Sequence, residues 1–145
     1  MTMCGIVGYI GTEQAAPIIL DGLSKLEYRG YDSAGMAIFD GEKINTRKAV
    51  GRLNSHPHMN NAGTIAVVHN GIIENYIPLK KKMQDKGYQF VSETDTEVLA
   101  HLLDYYYKGN PLEAITKVLH RVEGSYALGI MFADQPDKIF AARKD

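Results

Sequence analysis

The sequence predicts an α+β domain in which largely antiparallel sheets pack against layers of helices. Apolar runs typical of strands are grouped around hairpin signals, as in residues 36–50 and 124–142, whereas the helical patterns lie between these groups. The Gly-x-Gly-x-x-Gly turn of a parallel nucleotide-binding sheet does not occur in the sequence. The 145 residues, 45% of them hydrophobic, suffice for one core, so we expect a single domain or a large part of one.

The amino-terminal part is predicted to contain a strand, a helix and a hairpin. Residues 4–10 form an apolar run typical of a short buried strand. A helix over residues 16–26 is predicted because apolar residues recur at helical spacing. They are Ala16, Ile19, Leu20, Leu23 and Leu26. Asp40-Gly41 then favours a tight primed turn between strands at 36–39 and 43–50.

The middle of the chain is predicted as loop, strand and helix. Residues 51–63 have no apolar periodicity and are interpreted as loop. Residues 64–69 are the most apolar run up to that point and are predicted as a strand that Asn70-Gly71 closes. Residues 76–86 are more typical of a helix than of a partner strand, so the turn is expected to expose groups at the end of a strand.

Two further helices have clear start signals. Thr94 and Glu97 form a capping-box pattern ahead of one apolar face. Asn110, Pro111 and Glu113 form a similar signal ahead of the next. Long apolar strands are predicted at residues 124–133 and 138–142, on either side of a polar turn.

Charge and composition exclude several classes of function. A net charge of −1 with both signs interspersed gives no electrostatic reason to expect nucleic acid or an anionic membrane as a partner. A single cysteine excludes an internal disulfide and is typical of a reducing compartment. No basic leader precedes the first apolar run, and no apolar stretch approaches transmembrane length. We therefore expect a cytoplasmic protein.

Cys4 is the only cysteine and lies almost at the amino terminus. The pKa of a free α-amino group is about 7.7–8.0 and that of a thiol about 8.5, so a cysteine that is the first residue carries its own base. Met1, Thr2 and Met3 would have to be removed, because an amide nitrogen is not basic. The alternative is that Cys4 is a small buried side chain in a strand.

Four stretches follow one another along the chain: residues 4–8 (CGIVG), 26–35 (LEYRGYDSAG), 68–75 (VHNGIIEN) and 92–97 (SETDTE). Together they resemble the glutaminase domain of the glutamine:fructose-6-phosphate aminotransferase family, also called glucosamine-6-phosphate synthase. The resemblance covers essentially the whole chain. It implies the N-terminal-nucleophile hydrolase fold, with two stacked, largely antiparallel sheets between helix layers.

The resemblance also implies a role for each matching residue. Cys4, once amino-terminal, would attack the side-chain amide of L-glutamine, and the Asn70 side chain and the Gly71 backbone N–H would stabilise the oxyanion. Asp95 would accept the α-ammonium group of the substrate; without the resemblance, it is typical of an acid in the first turn of a helix.

Two further residues are expected near the substrate. The resemblance implies that Arg29 steadies the loop around the nucleophile and that His56 belongs to the substrate pocket. The alternatives are a solvated turn arginine and an exposed loop histidine. His58 has no implied role, and the spacing of the histidines does not indicate a metal site. No cofactor is expected.

The chain departs from the family in three places. Residues 1–3 block the amine unless they are removed. Between Leu53 and Asn54 the family carries a lid with a His-Thr-Arg-Trp-Ala-Thr-His-Gly motif, which this sequence lacks. The family's domain also continues beyond Arg143, and two sugar isomerase domains follow it. We therefore expect a fragment of a homo-oligomeric parent whose fructose 6-phosphate site lies outside this chain.

Two other classes stay open. The missing lid favours a non-catalytic relative that acts as a regulatory or interaction domain. The other alternative is a class II amidotransferase that delivers ammonia to a different acceptor. If the protein does carry the lid although this sequence omits it, the glutaminase interpretation is favoured.

Overall fold

The computed structural model describes residues 5–26, 34–49 and 57–145. The helices are α1 (Ala15–Leu26), α2 (Tyr76–Asp85), α3 (Thr96–Tyr106) and α4 (Pro111–Leu119). The strands are β1 (Ala34–Phe39), β2 (Ile44–Ala49), β3 (His58–Met59), β4 (Ile65–Ile73), β5 (Gly124–Phe132) and β6 (Phe140–Lys144). Within these ranges no helix is long and apolar enough to cross a membrane.

All strand pairs in the described residues are antiparallel, as the sequence predicts. β1 and β2 form a two-stranded sheet, and the other strands form a second sheet in the order β3-β4-β5-β6. The longest ladder joins β4 to β5, from Ile65 opposite Phe132 to Ile73 opposite Gly124. The α+β prediction is therefore confirmed, and the central pair β4-β5 fixes the position of residues 70–73.

The main core lies between the larger sheet and helices α2, α3 and α4. β5 confirms the long apolar strand predicted at residues 124–133, and its alternate residues face the core. They are Tyr126, Leu128, Ile130 and Phe132. Residues 96–103 of α3 are all buried, so this helix contacts the sheet and both neighbouring helices. Each large apolar side chain buried here contributes about 1.5–3 kcal/mol.

Two predicted turns differ in detail from the structure. Phe39 pairs with Ile44, so the β1-β2 loop has four residues, and Asp40 Oδ1 accepts N–H bonds from Glu42 and Lys43 at 2.9 Å. The tight primed turn predicted at Asp40-Gly41 was therefore wrong, although the hairpin was right. Asn70-Gly71 does not close its strand either, because β4 continues through both residues to Ile73.

Three local predictions need correction. Residues 5–10 form no ladder with a described strand, although a strand was predicted over residues 4–10. The short strand β3 lies within the predicted loop at 51–63. The capping box at the start of α3 is not formed, since the Glu97 carboxylate accepts N–H bonds from residues 91 and 92. By contrast, Asn110 caps α4 as predicted, by accepting the Glu113 N–H at 3.2 Å.

Candidate active site

The Asn70-Gly71 pair lies inside strand β4, near its exposed end. Asn70 is opposite Ala127 and Gly71 is opposite Tyr126 in the ladder with β5. Successive side chains of a strand point to opposite faces, so Asn70 shares a face with Val68, and His69 points to the face that the helices cover. Burial agrees with this, because His69 is buried and Asn70 is half-buried.

Gly71 occupies a position that only glycine fits. Its φ is +126°, and a Cβ atom built on it would lie 2.2 Å from the Ser125 carbonyl oxygen and 2.9 Å from Tyr126 Cα. Residues with a side chain rarely adopt this φ, and the atoms that the Cβ would meet belong to the β5 backbone. Close packing against β5 is therefore enough to require glycine here, apart from any role in binding an oxyanion.

The Asp95 carboxylate is bonded directly to the same strand. Asp95 Oδ2 accepts the backbone N–H of Ile73 at 2.7 Å, two residues after Gly71. Asp95 stands at the N-cap of α3 with φ −65° and makes no side-chain capping bond. Its side chain is 23% exposed, so a ligand can still reach the carboxylate. The structure thus brings Asp95 together with Asn70-Gly71.

Two buried polar side chains lie beside Asp95. His69 Nδ1 is 2.9 Å from Thr96 Oγ1, and the Thr96 hydroxyl is 3.5 Å from Asp95 Oδ1. His69 Nδ1 and Asp95 Oδ1 are 3.9 Å apart. Burial lowers the pKa of the His69 imidazole below its ordinary value, although the Asp95 charge opposes the shift. His69 is therefore neutral near pH 7.

The loop before Asp95 is held by a second polar group. The buried Glu97 carboxylate accepts N–H bonds from Val91 and Ser92, both at 2.8 Å, and a hydroxyl bond from Ser92 at 2.5 Å. Burial would raise the pKa of Glu97, but these donors outweigh it and the pKa lies below its ordinary value. A charged Glu97 thus anchors residues 91–92 to α3.

Thr94 extends this network to the short strand β3. Thr94 Oγ1 is 3.1 Å from Ser92 Oγ and 3.1 Å from His58 Nε2. His58 is 4% exposed and pairs with Val67 of β4. The residue that the sequence left without a role therefore supports the loop that carries Asp95.

The first described residues cross the opposite face of the sheet. A Cβ atom on Gly129 would lie 2.9 Å from Val68 Cγ2 and 3.5 Å from Ile6 Cγ2. A Cβ atom on Gly22 of α1 would lie 2.9 Å from Val7 Cγ1. Residues 6 and 7 therefore pass between the sheet and α1, on the face that Val68 and Asn70 share.

Some predicted site residues lie outside the described ranges. Cys4, Arg29 and His56 are among them, so their roles remain predictions. In the ranges 5–26, 34–49 and 57–145, no group of three or more His, Cys, Asp or Glu side chains could hold a metal ion.

Sequence reasoning missed His69 and Thr96. Residues 65–68 are continuously apolar, so the strand shows no alternation that would mark His69 as buried.

Comparison with known proteins identifies the family. Residues 3–145 match the family described as "Glutamine amidotransferase domain". The glutamine–fructose-6-phosphate aminotransferase (isomerizing) of Clostridium tetani is 54% identical over 175 residues, covering 99% of this chain and 29% of that protein. The same enzyme of Caldanaerobacter subterraneus is 54% identical with the same coverage. The chain thus spans less than a third of the length of these relatives.

Solved structures agree with the fold. The glutamine phosphoribosylpyrophosphate amidotransferase from B. subtilis superposes with a TM-score of 0.71 and 30% sequence identity, over 86% of this chain and 34% of that one. The expected N-terminal-nucleophile amidotransferase fold is thereby confirmed. Since the family match covers nearly every residue of a chain with this fold, the protein belongs to the glutamine amidotransferase domain family.

Proposed function

We propose that this domain hydrolyses the side-chain amide of L-glutamine and that Cys4 is the nucleophile. The thiolate sulfur adds to the amide carbon, and the carbonyl oxygen becomes an oxyanion. Collapse of this intermediate breaks the C–N bond, releases ammonia and leaves a thioester on Cys4. Water then cleaves the thioester to give glutamate and the free thiol. The α-amino group of Cys4 accepts and returns the proton, which requires removal of residues 1–3.

The observation that carries this proposal is the bond between Asp95 and strand β4. Asp95 Oδ2 accepts the Ile73 N–H at 2.7 Å, so a carboxylate stands beside the strand that holds Asn70-Gly71. A carboxylate has about four acceptor positions, which leaves room for the α-ammonium group of glutamine. A negative charge at this point selects an amino acid over a simple amide.

The direction of the strand's N–H groups supports Gly71 as an oxyanion donor. Ile65 O accepts the Asn60 N–H on the β3 side, and the Ile73 N–H points to Asp95 on the same edge of β4. Backbone groups alternate between the two edges of a strand, so we expect the Gly71 N–H on that edge too. It is then directed away from the ladder with β5 and towards Asp95.

The path of residues 6–8 supports Cys4 as the nucleophile. Ile6 lies near Gly129, on the face of the sheet that Val68 and Asn70 share, and Gly8 lies near Ile139. The chain therefore runs across β5 towards β4 as it approaches its amino terminus. Cys4 precedes Ile6 by two residues, and Asn70 follows Val68 by two residues.

Labelling with an electrophilic glutamine analogue tests the proposal. Intact mass first establishes that the sulfur residue is amino-terminal; the processed chain should then gain one label at Cys4. Asp95→Asn should slow labelling at least tenfold, because a charged contact is typically worth about 1.5–3 kcal/mol. Iodoacetamide lacks an α-ammonium group and should label both proteins equally. An analogue rate that Asp95→Asn leaves unchanged would overturn the role of Asp95, and absence of labelling would overturn that of Cys4.

The acceptor of the ammonia is proposed from the relatives. Proteins 54% identical to this chain are named glutamine–fructose-6-phosphate aminotransferases, so we propose that the parent converts fructose 6-phosphate and glutamine to glucosamine 6-phosphate and glutamate. The sugar phosphate would bind outside this chain, in a cytoplasmic, homo-oligomeric parent. Phosphoribosylpyrophosphate is the alternative acceptor, since the B. subtilis amidotransferase that is named for it shares the fold. Assay of the full-length protein with each acceptor distinguishes them.

A non-catalytic role is the second candidate function. Alignment with the C. tetani enzyme extends over 175 residues, whereas this chain has 145. The relatives therefore carry residues that this chain lacks, which supports the absence of the lid predicted between Leu53 and Asn54. Without the lid, water reaches the site and glutamine is held less tightly. A processed chain that binds glutamine but neither reacts with the analogue nor releases ammonia would favour this candidate.

A further inference from the structure

We propose that His69 and Thr96 form a hydrogen-bonded relay that fixes the orientation of the Asp95 carboxylate, and that both are positioning residues. Neither residue was assigned a role from the sequence. The relay itself stands on the contacts of this structure. Its effect on selection of the α-ammonium group rests on the proposed glutaminase function.

The contacts give the relay a direction. The Thr96 hydroxyl donates to Asp95 Oδ1 over 3.5 Å, so its oxygen is free to accept from His69 Nδ1 at 2.9 Å. His69 must then carry its proton on Nδ1. The lowered pKa of the buried imidazole agrees with a neutral ring that has a single N–H.

Burial makes the relay rigid. Thr96 has no exposed surface and His69 is 2% exposed, so water does not replace either partner. His69 is fixed in the middle of the β4-β5 ladder, opposite Leu128, and Thr96 is fixed in the first turn of α3. The relay therefore connects strand β4 to helix α3 next to Asp95.

The two oxygens of Asp95 are thus held by different elements. Oδ2 accepts the Ile73 N–H at 2.7 Å, and Oδ1 faces Thr96. A carboxylate bonded at only one oxygen can rotate about its Cβ–Cγ bond. A second, buried donor restricts that rotation, so the lone pairs that remain point in one direction. An ammonium ion held by oriented lone pairs binds more selectively than one held by a mobile charge.

Amide hydrogen exchange of the full chain tests the orientation of the Asp95 carboxylate without any ligand. In Thr96→Val, which keeps the shape and removes the hydroxyl, we expect the Ile73 amide to exchange about tenfold faster and its proton resonance to move upfield. The neighbouring Glu74 amide is the internal control, because it donates to Glu123 O at 2.8 Å and does not contact Asp95. Its exchange should not change. Thr96→Ser keeps the hydroxyl and should restore the wild-type exchange rate at Ile73.

Two other variants complete the test. Thr116→Val removes an exposed threonine hydroxyl from α4, where it donates to Leu112 O, and should leave both amides unchanged. His69→Asn places an amide nitrogen on Cγ, where Nδ1 was, and should keep Ile73 protected, whereas His69→Gln should not. Nitrogen NMR of wild-type His69 should show the neutral tautomer with the proton on Nδ1.

Ligand selectivity tests the consequence for recognition. We expect wild-type protein to bind L-glutamine more tightly than 4-carbamoylbutyrate, which lacks the α-amino group, and Thr96→Val to reduce this preference about tenfold. Faster exchange of Ile73 and Glu74 together, or of neither, would overturn the relay. A wild-type chain that binds the two ligands equally would overturn the proposed glutamine recognition, and the relay would then be judged on the Ile73 amide alone.

Discussion

Replacing Gly71 with alanine tests whether the end of β4 is held by backbone contact with β5. A Cβ atom would lie 2.2 Å from Ser125 O, and φ is +126°. Backbone strain of this kind costs about 1–3 kcal/mol, and forcing a methyl group into a packed site costs about 1–3 kcal/mol more. We therefore expect Gly71→Ala to lower the free energy of unfolding by about 4 kcal/mol.

Gly63→Ala is the matched control for this change. Gly63 also has a positive φ, +71°, but the nearest atom to its Cβ position is Met59 Cε at 3.9 Å. Only the left-handed backbone is then unfavourable for alanine, at a cost of about 1 kcal/mol. Urea unfolding followed by circular dichroism, with an unchanged m-value, measures both losses. The reasoning fails if the two variants differ by less than about 1 kcal/mol.

Three further changes test the polar groups that support the site. The buried Asn60 side chain accepts hydrogen bonds from the backbone N–H groups of residues 64–65 and donates to Thr64 and Asp104. Asn60→Ala removes all four bonds, so the free energy of unfolding measured in urea should fall by about 3 kcal/mol. Its neighbour Asn61 is exposed, so Asn61→Ala should lower the free energy of unfolding by about 1 kcal/mol or less. An equal loss of stability in the two variants would contradict this prediction. Glu97→Gln replaces a buried charge that accepts three hydrogen bonds and should lower the free energy of unfolding by about 2–3 kcal/mol, with a loss under about 1 kcal/mol refuting the anchor. Burial lowers the folded-state pKa of His101, although Glu97 opposes the shift, so the unfolded chain binds the proton more readily and stability falls as the pH drops below about 6.5. His101→Gln should reduce that fall by up to about 1.4 kcal/mol per pH unit in urea unfolding at pH 7.5 and 5.5, and an unchanged pH dependence would exclude His101 as its source.

Much of the fold follows from local patterns that the sequence makes visible. The apolar run of β5 and the Asn110 cap of α4 act over a few residues, so both could be predicted. The failures involve partners that are distant in sequence. Asn-Gly favours a turn locally, but pairing with β5 extends β4 through residue 73. Residues 5–10 are apolar enough for a strand. They form no ladder with a described strand, however, and the side chains of Ile6 and Val7 lie near Gly129 and Gly22.

The site was predictable to a smaller extent. The resemblance to a known family named Asp95, Asn70 and Gly71, and the structure brings these residues together. It could not predict that Asp95 bonds to Ile73, because that contact depends on how α3 packs against β4. His69 and Thr96 were missed for the same reason: they are 27 residues apart in sequence, and only the packed helix makes them neighbours.

The bond between Asp95 and the Ile73 amide also sets a length. In the proposed site, the oxyanion donors Asn70 and Gly71 belong to β4, and Asp95, the anchor for the other end of the ligand, is bonded to Ile73 of the same strand. The spacing between the two ends is therefore set by the β4 strand and by the bond that holds Asp95 to it. Asparagine is one methylene shorter than glutamine. It could therefore contact Asp95 or the oxyanion donors but not both at once, and the site would discriminate against it.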